Sequence, residues 1–174
     1  MSRPVEIIRH DIRKALAEKP DGMLEALADR FEVSLGVVLA CLPVENARAV
    51  CGEHFIAVLE DIAEWGDVTF ITHNADAVIE VSGPLPKGRM GHGMYNLQHG
   101  ESGLAGHLRP ERCAAIWFVE RPFMGVSTMS VQFINLDGRA MFKIYVGRDE
   151  ERNLCADQVS RFERLKHHYP DLPV

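Results

Sequence analysis

Hydrophobic residues recur at helical spacing through most of the first 65 residues of this chain. The first helix is indicated by four apolar residues that lie three or four positions apart: Val5, Ile8, Ile12 and Leu16. Lys19 and Pro20 mark its end, because proline does not continue a helix. The same spacing predicts three further helices over residues 23–28, 34–42 and 55–63.

The period changes in the middle of the chain, where segments rich in β-branched and aromatic residues are separated by Gly, Pro, Asn and Asp. This pattern is typical of β-strands joined by turns. Seven strands are predicted: residues 67–73, 76–82, 90–98, 103–108, 112–120, 127–136 and 139–147. Because no helix-length segment separates them, the sheet is expected to be mainly antiparallel. After Gly147 the helical spacing returns, from Leu154 to Tyr169.

This order of elements predicts an α+β fold with N-terminal helices, a large mainly antiparallel β-sheet and a C-terminal helix. A length of 174 residues fits a single domain, residues 1–174. Within it we assign residues 1–65 to the helical part, residues 66–148 to the antiparallel sheet and residues 149–170 to the C-terminal helix.

Composition favours a cytoplasmic protein. The first 20 residues carry charges throughout and contain no apolar stretch of the kind found in a secretory signal. No run of 18 apolar residues is present, so membrane insertion is not expected. The four cysteines are widely spread and form no CxxC pair, which favours reduced thiols over disulfides or a zinc site.

Residues 22–42 show the pattern of a helix-turn-helix, with helices predicted at 22–30 and 34–42. A helix that reads DNA needs exposed Arg, Lys, Asn or Gln side chains. Residues 34–42 contain none of these, and the net charge of −6 also argues against a nucleic-acid partner. A buried helical pair is therefore preferred, and a regulatory module of the helix-turn-helix type is kept as an alternative.

One stretch of 35 residues inside the strand-rich region contains four histidines: His73, His92, His99 and His107. Neutral imidazole is a common metal ligand, but the close spacings of zinc sites, such as HExxH, are missing. No GxSxG or comparable catalytic motif occurs either. Haem fits these residues better, because it needs a broad apolar surface, one or two axial ligands and cationic partners for its carboxylates.

Several long blocks of the sequence resemble the cytosolic haem-utilisation carrier family, the ChuX/HutX-like proteins of bacterial haem uptake. The blocks are Pro20-Asp21-Gly22 and residues 64–88, 91–98, 103–125, 130–152 and 157–165. The resemblance implies a homodimer whose subunit is similar to one half of the two-repeat haem-handling proteins. It also implies that haem is a cargo, held without a covalent link in the cytoplasm and passed to a haem-degrading enzyme during haem-iron transport and utilisation.

The side chains that contact haem are indicated in two ways: the resemblance points to two histidines and a tyrosine, and the histidine cluster and the basic residues of the chain supply the others. The expected haem-binding residues are His73, His107, Tyr95, His92, Arg109 and Lys143. His73 and His107 match the two histidines implicated in the family, so they are the expected axial ligands of the iron. Tyr95 stands one place later than the family tyrosine, because Met94 follows the His92-Gly93 pair, and such a shift reverses the face of a residue in a strand unless a bulge intervenes. The two basic residues are expected beside the haem carboxylates.

We therefore expect a haem carrier rather than an enzyme. The sequence offers no separate catalytic group, and haem degradation would require electrons from a partner. A haem-degrading enzyme, or an accessory subunit of one, is the alternative.

Overall fold

The computed structural model describes residues 4–174. Its helices are α1 (Val5–Glu18), α2 (Leu24–Phe31), α3 (Leu35–Leu39), α4 (Phe55–Ile62) and α5 (Ala156–Lys166). Its strands are β1 (Ala47–Cys51), β2 (Asp67–His73), β3 (Val78–Pro84), β4 (Gly88–Gly91), β5 (Met94–Leu97), β6 (Gly106–Leu108), β7 (Cys113–Phe123), β8 (Val126–Asn135) and β9 (Ala140–Tyr145). Of the helices described, none has the length and apolar character needed to cross a membrane.

The strands form two antiparallel sheets. The larger sheet has six strands in the order β1-β7-β8-β9-β2-β3, and the smaller sheet has three in the order β4-β5-β6. Every strand pair in both sheets is antiparallel. The predicted α+β class, with N-terminal helices, a large antiparallel sheet and a C-terminal helix, is confirmed.

The strand prediction was wrong at two places. β1 lies in the region assigned to helices, where it pairs with β7 at the edge of the larger sheet. Its neighbouring residues Ala49 and Val50 are both buried, on opposite faces of the sheet. The segment therefore lacks the alternation of apolar and polar residues that marks a strand. The single strand predicted over residues 90–98 is the hairpin β4-β5, because His92 (φ 54°) and Gly93 (φ 75°) both adopt positive φ and form a tight turn.

One face of the larger sheet carries the main hydrophobic core. α4, α5 and residues of the smaller sheet pack against this face. Phe133 of β8 stacks on Phe142 of β9 with ring centroids 4.5 Å apart, and Phe55 of α4 meets Phe133 edge-on at 5.2 Å. Burial of such rings and their offset or edge-on contacts are main sources of stability in a domain of this size.

The opposite face of the larger sheet is covered along only part of its width. α1, α2 and α3 pack there against Ala49 of β1, Trp117 of β7 and Ile134 of β8. Among the described residues, β2 and β3 contribute no buried side chain to this second core. The adjoining surface of β8, β9, β2 and β3 is therefore left open beside the helices, and we call it the open sheet face.

The helix pair at residues 22–42 is an interior element. Leu35, Val38 and Leu39 of α3 are buried, and the N–H of Gly36 donates a hydrogen bond to the carbonyl of Gly138 at 3.0 Å. A recognition helix must present its side chains to the groove of DNA. The structure thus agrees with a buried helical pair and gives no support to the helix-turn-helix alternative.

Candidate functional site

A cavity of about 210 Å³ lies on the open sheet face, beside the start of α2. Strands β2, β3, β7, β8 and β9 all contribute to its lining, and residues 23–25 close it from the helical side. The lining includes two of the residues that the sequence singled out, His73 and Lys143. This cavity is therefore the first candidate for a ligand site.

Strand register explains why polar side chains meet in this cavity. Gln132 of β8 is opposite Lys143 of β9. Lys143 is in turn opposite Ile71 of β2, which pairs with Glu80 of β3. Directly opposed residues share a face of the sheet, so these four side chains form one row across the four strands. His73 follows Ile71 by two positions and therefore lies on the same face.

Glu25, the second residue of α2, contacts both Lys143 of this row and His73 beside it. Its Oε1 atom accepts a hydrogen bond from Nζ of Lys143 and lies 3.4 Å from Nδ1 of His73. Leu24 and Ala28 anchor α2 in the second core, and this packing holds Glu25 against the sheet. Only 7% of the Lys143 side chain is exposed, so the carboxylate balances a nearly buried ammonium group.

Two opposing effects set the ionic state of Glu25. Burial acts to raise the pKa of its carboxyl, whereas the charge and hydrogen bond of Lys143 lower it, with a smaller contribution from His73. The resulting pKa lies below the ordinary value of a glutamate, so the group is ionised at neutral pH. Lys143 is thus paired with Glu25 within its own chain.

Gln132 places a buried polar group among the lining residues of the cavity. The residue is 2% exposed, and its Nε2 donates a hydrogen bond to Oγ of Ser130 at 3.1 Å. Its buried Oε1 has no hydrogen-bond partner among the described residues. Since buried carbonyl oxygens normally accept a hydrogen bond, Gln132 offers an acceptor to a donor that enters the cavity.

His107 lies on the smaller sheet. It is exposed in β6, directly opposite Asn96 of β5, and its Nδ1 lies 2.6 Å from Oδ1 of Asn96. The neighbours of Asn96 along β5, Tyr95 and Leu97, are buried in the main core, so Asn96 and His107 share the outer face of this sheet.

Tyr95 does not fit the role expected for it. The side chain is 2% exposed in the main core, and its hydroxyl oxygen accepts a hydrogen bond from the N–H of Gly88 at 3.1 Å. The ring packs so closely on Gly88 that a Cβ there would lie 2.3 Å from it. Burial raises the pKa of the phenol, which disfavours the phenolate that binds ferric iron. We therefore leave Tyr95 out of the proposed ligand set.

The remaining two predicted residues lie on exposed loops. His92 is exposed in the β4-β5 turn, where its positive φ belongs to the turn itself. Arg109 is exposed immediately after β6, two positions from His107. Both belong to the smaller sheet and its loops, so they accompany His107 rather than His73.

His73 and His107 are not brought together within one chain. Along the β2-β3 hairpin His73 is opposite Val78 at one end, whereas Asp67 is opposite Pro84 at the other. Seven strand residues span about 20 Å, and the smaller sheet begins just beyond Pro84. Within residues 4–174 no three His, Cys, Asp or Glu side chains are placed to hold a metal ion, but haem iron needs only one or two protein ligands.

The sequence alone did not point to Glu25 or Asn96. Glu25 is one of many acidic residues on predicted helices, and its contact with Lys143 spans 118 positions of the chain. Asn96 lies in the short stretch between His92 and His99, and only the register of β5 with β6 shows that it faces His107. Correct strand pairing would have found the contact of Asn96 with His107, whereas the contact of Glu25 with Lys143 depends on how α2 packs on the sheet.

The fold is similar to one half of larger proteins that handle haem. A haem-binding protein from Pseudomonas aeruginosa, PhuS, superimposes with a TM-score of 0.75 over 99% of this chain and 49% of its own, at 17% identity. That level of identity shows the fold alone.

Comparisons over whole chains place the protein more narrowly. The profile of the family described as "Haem utilisation ChuX/HutX" matches residues 48–165. HutX from Vibrio cholerae, named an intracellular heme transport protein, is 34% identical over 97% of this chain and 88% of its own. The heme binding protein ChuX has a TM-score of 0.81 at 41% identity, over 89% of this chain and 96% of its own. The chain belongs to the ChuX/HutX haem utilisation family.

Proposed function

We propose that this chain binds haem without a covalent link, as a cargo, and passes it on inside the cell. Membership of the ChuX/HutX family supports this function, as do the names of HutX, an intracellular heme transport protein, and ChuX, a heme binding protein. The observation that carries the proposal is the position of His73, which lines the cavity on the open sheet face with 21% of its side chain exposed.

His73 supplies the chemistry that an iron ligand requires. Its Nδ1 lies 3.4 Å from Oε1 of Glu25, and a carboxylate at that side of the ring favours the imidazole form with its proton on Nδ1. Nε2 then carries the lone pair that binds iron. The cavity of about 210 Å³ is smaller than the roughly 300 Å³ at which enclosed small-molecule sites begin. Only one edge of a haem enters it, and the rest of the macrocycle stays open for transfer.

Two basic residues are proposed to hold the haem carboxylates. Lys143 takes one of them when it exchanges the carboxylate of Glu25 for that of haem, so its nearly buried charge stays paired. Arg109 is exposed next to His107 and suits a carboxylate near the smaller sheet. His92, in the neighbouring turn, is kept as a further contact of the exposed macrocycle.

A homodimer is part of the proposal. Strand β3 ends the larger sheet without a partner on its outer side in the described chain, and Val78 and Ile79 on it are 52% and 58% exposed. The other edge strand, β1, is covered by the C-terminal segment, where the N–H of Leu172 donates to the carbonyl of Ala49. An open apolar edge is a template for pairing with another chain, and the PhuS fold, about twice as long, supports a second copy as that partner.

A dimer would bring His107 of one copy close to His73 of the other, although the two histidines of one chain lie apart. His73 lies at the end of β2 and is opposite Val78, so it stands beside the proposed edge between the two copies. We propose that each haem iron takes His73 from one copy and His107 from the other. Haem would then lie between the open sheet face of one copy and the outer face of the smaller sheet of the second.

Mixed dimers test this sharing. Co-purified chains carrying His73→Ala and His107→Ala form dimers with one intact site and one site that lacks both histidines. We expect these mixed dimers to bind about one haem per dimer with wild-type affinity, while each variant alone binds weakly. Light scattering should give a dimer for all of them. If the mixed dimers bind as weakly as the separate variants, each chain binds its haem alone.

A transfer assay distinguishes a carrier from a haem-degrading enzyme. The haem-loaded protein is mixed with excess apomyoglobin, and separately with a reductant in air. For a carrier we expect complete transfer to apomyoglobin, and under reductant an unchanged amount of haem after extraction. Loss of haem with new absorption bands of an open tetrapyrrole would contradict the carrier assignment and favour degradation.

A further inference from the structure

The side-chain amide of Asn96 is held in one orientation. Its Nδ2 atom lies 3.2 Å from the carbonyl oxygen of Arg89, 3.0 Å from that of Gly91 and 3.1 Å from that of Met94. Carbonyl oxygens only accept hydrogen bonds, so the amide nitrogen must face them. The amide oxygen is thereby directed to the other side, where His107 lies.

The orientation of Asn96 determines the protonation pattern of His107. Oδ1 of Asn96 is an acceptor, and it lies 2.6 Å from Nδ1 of His107. Nδ1 must therefore donate, and in a neutral imidazole the lone pair is then on Nε2. The segment of β5 that carries Asn96 is held firmly, because Tyr95 and Leu97, on either side of Asn96, are buried in the main core.

We propose that Asn96 is a positioning residue that presents Nε2 of His107 to haem iron. The inference rests on the proposed function and adds a residue that does not itself touch haem. An orienting acceptor on the second imidazole nitrogen fixes the ring and its tautomer, and the loss of such a partner typically weakens a metal site by about 10–100-fold. Because Asn96 is a neutral acceptor, His107 is a weaker donor to iron than a histidine backed by a carboxylate, which suits a ligand that has to be released.

Three substitutions test the role of Asn96. Asn96→Ala removes the acceptor, and we expect haemin to bind about 10–100-fold more weakly. Asn96→Asp keeps an acceptor for Nδ1 of His107 but sets its second carboxylate oxygen against the three backbone carbonyls that Nδ2 contacts, so haemin binding should also weaken, by less than in Asn96→Ala. In both variants the iron–histidine stretching frequency in resonance Raman spectra should change. Met90→Ala, a half-exposed position on the adjoining strand, is the matched control and should behave as wild type.

A double-mutant cycle separates positioning from a general structural effect. In the His107→Ala background, Asn96→Ala should cause no further loss of haemin affinity, because its effect acts through the ring that is already absent. If Asn96→Ala weakens binding in the His107→Ala background as much as it does in wild type, the proposal is overturned, and Asn96 only stabilises the hairpin. If wild-type protein binds haemin but Asn96→Ala binds equally well with an unchanged Raman spectrum, only this inference fails. If wild-type protein does not bind haemin, the proposed function itself fails.

Discussion

Replacement of His73 by Ala is expected to weaken haemin binding by at least about 100-fold, because the loss of a mere orienting partner already weakens metal sites by about 10–100-fold. His73 is the histidine that lines the cavity on the open sheet face. The variant should also shift the Soret band of bound haemin, since one axial ligand of the iron changes. Absorption titration of haemin into the purified protein measures both quantities.

The fold of the His73→Ala variant should stay intact. His73 is partly exposed at the end of β2, and the contact of its ring with Glu25 is at ion-pair distance rather than a short hydrogen bond. His99→Ala is the matched control, because His99 is exposed in the same histidine-rich region and contributes to neither proposed ligand position. Equal affinities of wild type and His73→Ala would remove His73 from the site.

Replacement of Phe133 by Ala is expected to have the largest effect on stability, about 3–5 kcal/mol of the free energy of unfolding. Phe133 has no exposed surface and lies at the centre of the main core, in contact with Phe55 and Phe142. The change removes buried ring surface, leaves a cavity and breaks two aromatic contacts worth about 0.5–1.5 kcal/mol each. A loss of this size is a large part of the roughly 5–15 kcal/mol that stabilises a typical domain.

Urea unfolding at equilibrium measures this effect, with the m-value confirming that the same surface is exposed. Leu136→Ala, just beyond the same strand, is the control: Leu136 is 61% exposed, and its loss should change the free energy of unfolding by less than about 0.5 kcal/mol. Comparable destabilisation of the two variants would contradict the placement of Phe133 at the core centre.

The fold class followed from the sequence because long segments keep one period. The seven residues of β2 have the same bounds as the predicted segment 67–73, and the strands β7, β8 and β9 differ from prediction by at most three residues at an end. β1 could not be recognised, because a five-residue edge strand buried towards both cores has no period of its own. The turn at His92 and Gly93 was missed because the strands on either side, β4 and β5, have only four residues each and were merged into one predicted segment.

The site was less accessible to sequence reasoning than the fold. His73 and His107 were singled out because they match the two histidines implicated in the family, and such a match is visible in a single sequence. Which face of the sheet the N-terminal helices leave open depends on tertiary packing, and so do the contacts of Glu25 with Lys143 and of Asn96 with His107. Burial of Tyr95 likewise follows from the packing of the smaller sheet on the main core.

Haemin titration of the double variant His73→Ala/His107→Ala beside wild type tests the central claim most directly. The account predicts one haem per wild-type chain with a sharp Soret band, and for the double variant no more binding than an unrelated acidic protein shows. Wild-type affinity and an unchanged Soret band in the double variant would contradict the assignment of these histidines as iron ligands.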